Sequence, residues 1–266
     1  MPKVSIGVLI ALLLFCGLGP LVWPWPADAF DKTAILAPPS IAHPFGCDLL
    51  GRDVMARVME GGRISLLVGM MGAAIATALA MIVGTVAALF RGVVDRATVV
   101  MIDLLLAFPT FFLLLALIAY VPAGAGMLIG VIGLTGWMSL ARMVRSEAFA
   151  LSSRPYVKTA LLAGRSRWWV VIYYYLPLLA PLGLVGFTFG ASGAILAESG
   201  LSFLGLGIMP PSMSWGTILA DGKEVMDVAW WVSFFPGAMI FIVSYALITI
   251  ADALQRAANR RAITVG

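Results

Sequence analysis

Charge is scarce in this chain. Of its 266 residues only 11% are Asp, Glu, Lys or Arg, while 62% are apolar and the mean hydropathy is +1.03. A globular domain of this length cannot cover its surface with so few charges, which excludes a soluble enzyme. The net charge of +4 and pI near 9.3 suggest nucleic acid at first sight. The 17 basic residues are spread thinly between apolar runs, however, and no nucleic-acid partner is expected. Histidine occurs once, as His43. His43 and Cys47 have a suggestive spacing, but two ligands do not make a metal site. The two cysteines allow at most one bridge, and Cys16 in an apolar run and Cys47 in a polar loop are expected as unpaired thiols. No Gly-x-x-x-x-Gly-Lys-Ser/Thr string exists to cradle nucleotide phosphates, so no cofactor is expected in this chain.

What the chain has is long apolar runs. A span takes roughly 20 helical residues, so the length suits about six crossings of an all-α membrane protein. The expected runs are Ile6 to Val22, Leu66 to Phe90, Val99 to Val121, Met127 to Ala141, Leu178 to Leu196, and Val232 to Ala251. Ala27-Asp28-Ala29 resembles a signal-peptide cleavage site, but the first run is too long for such a leader and is read as a retained span. An inside N-terminus and C-terminus places 12 of the 17 basic residues in the cytoplasm, as the positive-inside rule favours. The expected organisation is an N-terminal span with an extracytoplasmic segment over 1–62, a transmembrane core over 63–255 and a basic cytoplasmic tail over 256–266. Cys47 is then outside and open to an impermeant maleimide.

Three polar segments carry the functional signal. In the first, Arg142 to Pro177, Ser153 and Pro155 suit a helix start and Gly164 its end, giving a short helix outside the membrane. Its residues Tyr156, Val157, Ala160, Leu161 and Leu162 are too apolar for a solvated connector. Pattern alone leaves two readings open, a docking knob or an amphipathic helix on the inner leaflet. The second segment, His43 to Arg63, is rich in charge, and Arg52 to Met59 suits a short interfacial helix. The third begins at Glu198, where either a pathway-facing charge or a cap for a following helix through Ser199 fits.

The chain resembles the permease subunits of binding-protein-dependent ABC importers, specifically the C-type subunits of dipeptide, oligopeptide and nickel systems. Tyr156-Val157-Lys158-Thr159-Ala160, then Gly164 and Leu176-Pro177, follows the family's Glu-Ala-Ala-x-x-x-Gly loop, with Lys158 in place of Glu, Thr159 of Ala and Tyr174 of Ile. His43-Pro44-Phe45-Gly46-Cys47-Asp48-Leu49-Leu50-Gly51-Arg52-Asp53-Val54 with Gly62-Arg63-Ile64-Ser65-Leu66, and Glu198-Ser199-Gly200-Leu201-Ser202-Phe203-Leu204-Gly205-Leu206-Gly207 through Pro210, Pro211 and Trp215, match more closely.

The resemblance implies a type I importer permease fold in a bacterial or archaeal cytoplasmic membrane. It implies a coupling helix formed by Tyr156, Val157, Lys158, Thr159, Ala160, Leu161 and Gly164, with Leu176 and Pro177. It also implies an extracytoplasmic mouth involving Asp48, Arg52, Asp53, Arg63, Pro210, Pro211 and Trp215. The implied partners are a second permease subunit, two ATPases that bind ATP and Mg, a substrate-binding protein and the lipid bilayer. The implied cargo is a peptide or a nickel complex.

Two other classes bear weighing. Gly190-Ala191-Ser192-Gly193 matches the Gly-x-Ser-Gly of intramembrane serine proteases, with Ser192 as nucleophile and only His43 as a base. A secondary carrier would show mid-membrane ionisable sites and internal repeats, and no convincing repeat is visible.

Overall fold

The computed structural model describes residues 2–120 and 124–264. Val121, the expected end of the third apolar run, and the side chains of Arg260 and Arg261 in the basic tail lie outside the described residues. Among the described residues all regular structure is helical: α1 (Pro2–Val22), α2 (Val54–Phe90), α3 (Gly92–Leu106), α4 (Thr110–Ile118), α5 (Ala125–Thr135), α6 (Met138–Ser152), α7 (Pro155–Leu162), α8 (Arg167–Val170), α9 (Leu176–Phe203), α10 (Trp215–Lys223) and α11 (Trp231–Thr264). A π-helical turn, Val171–Tyr175, joins α8 to α9.

Four helices are long and apolar enough to cross a membrane, and two bent pairs bring the number to six if each pair is one span. The α3–α4 pair bends by 84° at Phe108-Pro109. Proline offers no N–H and drives its predecessor out of helical geometry. The α5–α6 pair bends by 40° at Gly136-Trp137, where the short, glycine-rich fourth run is expected. The apolar runs therefore appear as expected, but two are broken.

The central element is α2, which packs against α1, α5, α6 and α9. At a rise of 1.5 Å per residue its 37 residues extend for roughly 55 Å, well beyond the hydrocarbon thickness. Its first three turns therefore belong to a polar cap at one end of the bundle, and its last turn reaches α7 and α8 at the other. The expected interfacial helix from Arg52 to Met59 is corrected by this: Asp53 caps α2 and the helix then runs unbroken to Phe90. Nothing in the sequence from Val54 to Phe90 breaks it, because no proline intervenes.

Close backbone approach holds the helices together. A Cβ on Gly62 would lie 2.5 Å from Cys16 Sγ and 2.8 Å from the Trp215 ring, so only glycine lets α2 meet α1 and α10 there. Pro20 lacks the N–H that would satisfy the Cys16 carbonyl one turn earlier. Arg63 supplies the donor instead: its Nε bonds to Cys16 O at 2.9 Å and its Nη2 to Gly17 O at 2.7 Å.

A candidate docking knob and a bonded cap

The cap is built on two aspartates. Asp48 accepts the backbone N–H groups of Leu50 and Arg52 on Oδ1, at 2.9 and 3.0 Å, and so fixes the turn before α2. Its Oδ2 accepts Arg52 Nε at 2.7 Å and Arg57 Nη1 at 2.6 Å. Arg57 reaches on to Asp221 of α10 at 2.9 Å, so one buried guanidinium bridges residues far apart in sequence. Asp53 accepts Ala56 N at 2.7 Å as the helix cap, accepts Trp23 Nε1 at 3.1 Å, and pairs with His43 Nδ1 at 2.8 Å. The Trp25 ring packs on His43 with centroids 4.9 Å apart. Trp231 Nε1 donates to Cys47 O at 3.0 Å.

Cys47 is fully enclosed by this arrangement. Burial and the surrounding aspartates push its thiol up to about 11, since both disfavour a thiolate. Its expected openness to maleimide is therefore corrected. The loop is polar in sequence, but the thiol points into the fold.

Glu198 lies deeper, at the meeting of α2, α9 and α10, and is completely buried. It accepts Ser65 Oγ at 2.8 Å and Ser199 Oγ at 3.3 Å on Oε2, and Ser202 Oγ at 2.7 Å on Oε1. It does not cap a following helix, because α9 continues past it to Phe203. Trp215 begins α10 within a Ser214–Thr217 capping box, and its Nε1 donates to Val58 O at 2.9 Å.

Of the residues expected at the mouth, Asp48, Asp53 and Trp215 are buried and tied to their neighbours. Arg52 is partly buried, and Arg63 is engaged with α1 and Glu60. Pro210 and Pro211 are exposed, joined by a cis peptide. Arg57, Asp221, Ser65 and Ser202 were not singled out by the sequence. The signal for Arg57 is a charge set between the apolar Val54 and Val58 in the first turns of α2, where Glu60 and Arg63 follow. No comparable signal marks Asp221, whose partner is 164 positions away.

The other end of the bundle is built differently. Ser153 does not start α7; it closes α6, with its Oγ donating to Ala150 O at 2.8 Å, and Arg154 takes the N-cap position. Pro155 fills the first turn, where a missing N–H costs nothing. The C-terminus is closed by Gly164 at φ +80°: Gly164 N bonds Leu161 O at 3.1 Å and Arg165 N bonds Ala160 O at 3.1 Å. This paired closure uses the left-handed conformation glycine adopts most readily.

The short helix has two faces. Val157 and Ala160 are buried against Val144, Ala148, Leu151, Val171 and Tyr175. Tyr156, Lys158, Thr159, Leu161 and Leu162 are exposed, Leu162 at 88%. Ala160 therefore faces the protein's own core, while nothing lies within 4 Å of a Cβ built on Gly164. Leu176 and Pro177 are exposed at the start of α9, where the π turn precedes Pro177. Tyr156 and Tyr174 rings pack 5.4 Å apart and tie α7 to that turn. The cluster is thus a small helix with a locked inner face and an unsatisfied apolar outer one.

Ser192 and His43 are not brought together. Ser192 lies beside Ala191, whose carbonyl is 3.4 Å from a Cβ built on Gly69, whereas His43 is held by Asp53 at the start of α2. The 16 residues between Asp53 and Gly69 correspond to roughly 24 Å of helix. A serine protease reading has no base within reach.

Comparison with known proteins agrees with the architecture. The family described as "Binding-protein-dependent transport system inner membrane component" matches residues 57–264. The oligopeptide transport system permease protein OppC of Mycobacterium tuberculosis H37Rv is 32% identical over 255 residues, covering 95% of this chain and 88% of the relative. OppC of Haemophilus influenzae is 32% identical over 255 residues, covering 95% and 82%. A Brucella ovis protein whose name places it among peptide permeases is 36% identical over 258 residues, covering 96% and 85%. With four helices long and apolar enough to cross a membrane, or six if each bent pair is one span, and a family match across most of its length, the chain belongs to the inner-membrane permease subunits of binding-protein-dependent ABC importers.

Proposed function

We propose that this chain forms one half of the translocation pathway of an ATP-driven peptide importer, with α7 as its coupling helix. The names of its relatives, oligopeptide and peptide permeases, support peptide cargo. The observation that carries the mechanism is the two-faced α7. Its inner face is packed into the bundle, so a push on the helix is passed to α6, the π turn and α9. Its outer face exposes Leu161 and Leu162, which gain by burial in a partner's cleft, at roughly 25 cal/mol per Å² of apolar area. Two ATPases, holding ATP and Mg, would supply that cleft and the motion. The polar cap then lies outside, where a substrate-binding protein delivers cargo, and the N- and C-termini lie in the cytoplasm.

The secondary-carrier alternative predicts a different dependence. Proteoliposomes holding the full complex are expected to accumulate labelled trialanine, as a probe peptide, only with ATP and the binding protein. The lone chain is expected neither to hydrolyse ATP nor to transport. Gradient-driven uptake by the lone chain would overturn the reading.

A further inference from the structure

Among the described residues four charged side chains are buried: Asp48, Asp53, Arg57 and Glu198. The first three have partners of opposite or titratable charge. Glu198 has none, and is held by three serine hydroxyls alone. A buried charge persists without a cation only when its oxygens are supplied with donors.

The backbone sets the direction of those hydrogen bonds. Trp215 N–H donates to Ser65 Oγ at 3.1 Å, and Ile208 N–H donates to Ser202 Oγ at 3.0 Å. Each hydroxyl has one proton, and with its oxygen taken up as acceptor that proton is free to point at Glu198. Both carboxylate oxygens are thereby supplied with hydroxyl donors. The two amides also bracket one loop. Ile208 and Ser214 are buried, while residues 209–212 between them are exposed. Gly207 is confined as well, since a Cβ there would lie 2.3 Å from Ser202 Oγ. One carboxylate thus holds both ends of an exposed loop through two serines, one on α2 and one on α9.

We infer that Glu198 is the positioning residue for the 209–213 loop, which it presents in a single conformation at the mouth of the pathway. The functional half of this statement rests on the proposed importer reading, in which the loop meets the substrate-binding protein.

The test separates the two. A nitroxide on Ser212→Cys reports the loop, because native Cys16 and Cys47 are buried; a second label on Val93→Cys, exposed at the start of α3, reports the far end. In the assembled complex, Glu198→Gln is expected to mobilise the Ser212 label and leave the Val93 label unchanged, since an amide replaces one of the two accepting oxygens with an N–H donor. The concentration of trialanine-loaded binding protein that half-maximally stimulates ATP hydrolysis is expected to rise about tenfold, the scale of one charged hydrogen bond. If Glu198→Gln fails to assemble, Ser202→Ala, which frees the Ile208 end alone, decides the matter. An immobile Ser212 label in the variant that assembles overturns the positioning role. A mobilised label with unchanged stimulation keeps the positioning role and overturns the loop's part in docking.

Discussion

The two ends of the bundle solve opposite problems. The cap satisfies most of its polar groups within the chain: Asp48, Asp53 and Glu198 each accept several donors, and Arg57 joins α2 to α10, its two terminal nitrogens bonded to Asp48 and Asp221, though its Nε has no partner. The α7 end satisfies only its inner face and leaves Tyr156, Leu161 and Leu162 uncovered. One end is complete alone, and the other, on the proposed reading, is complete only against another protein. A region that must hold a shape between visits by a mobile partner needs internal bonds, whereas a permanent joint can leave its apolar surface for the partner to cover.

The strongest way to break this comparison is Arg57→Ala. It leaves Asp48 without its closest buried cation and unhooks Asp221, at a cost of about 3 kcal/mol. The isolated chain in detergent is expected to melt several degrees lower. Cys47 is expected to react with maleimide at neutral pH in this variant, whereas in the parent protein its alkylation stays slow until pH approaches 11. The sign follows from burial: the fold favours the neutral thiol, so this contribution to stability is present below the ordinary thiol value and fades as pH rises through the elevated one.

A smaller effect with a contrasting signature is expected at the knob. Leu162→Asp removes exposed apolar surface, so the isolated chain keeps its melting temperature, while association with the ATPases weakens by about 2 kcal/mol. Pull-down of the complex and thermal denaturation of the lone chain read the two halves of that statement. An equal loss of stability in the lone chain would erase the distinction between the ends.

Two milder substitutions sharpen the picture. Gly164→Ala meets no neighbouring atom but must hold φ +80°, which costs about 1 kcal/mol, and is expected to fray the last turn of α7 and lower transport severalfold. Lys158→Ala is expected to change ATP-coupled transport least, within about 0.5 kcal/mol, because the lysine is exposed and forms no ion pair among the described residues. A severe Lys158→Ala defect, measured as uptake per ATP hydrolysed, would point to an acidic partner in the ATPase cleft.

Much of this was legible in the sequence, for physical reasons. Apolar runs announce spans because lipid demands them, and Gly164 announced the end of α7 because few other residues take its conformation. The breaks in α3–α4 and α5–α6 were less legible, since Phe108-Pro109 and Gly136-Trp137 interrupt backbone geometry without interrupting hydropathy. The faces of α7 were not legible: Val157 and Ala160 look no more inward than Tyr156 or Leu161 until Val171 and Tyr175 are placed beneath them. Charges misled most. Asp48, Asp53 and Arg63 resemble a solvated surface in sequence, but their partners come from Arg57, His43 and the carbonyls of α1, and only the fold brings these together.

The contact between Arg63 and the Cys16 carbonyl bears on how the chain is made. α1 is synthesised before α2, so it enters the bilayer with a carbonyl that Pro20 has deprived of its usual donor, a deficit worth several kcal/mol in hydrocarbon. The missing donor emerges from the ribosome 43 residues after Pro20. Capture of α1 by the following helix is thereby written into the order of translation, and the first helix has a standing reason to wait beside the insertion site instead of diffusing away.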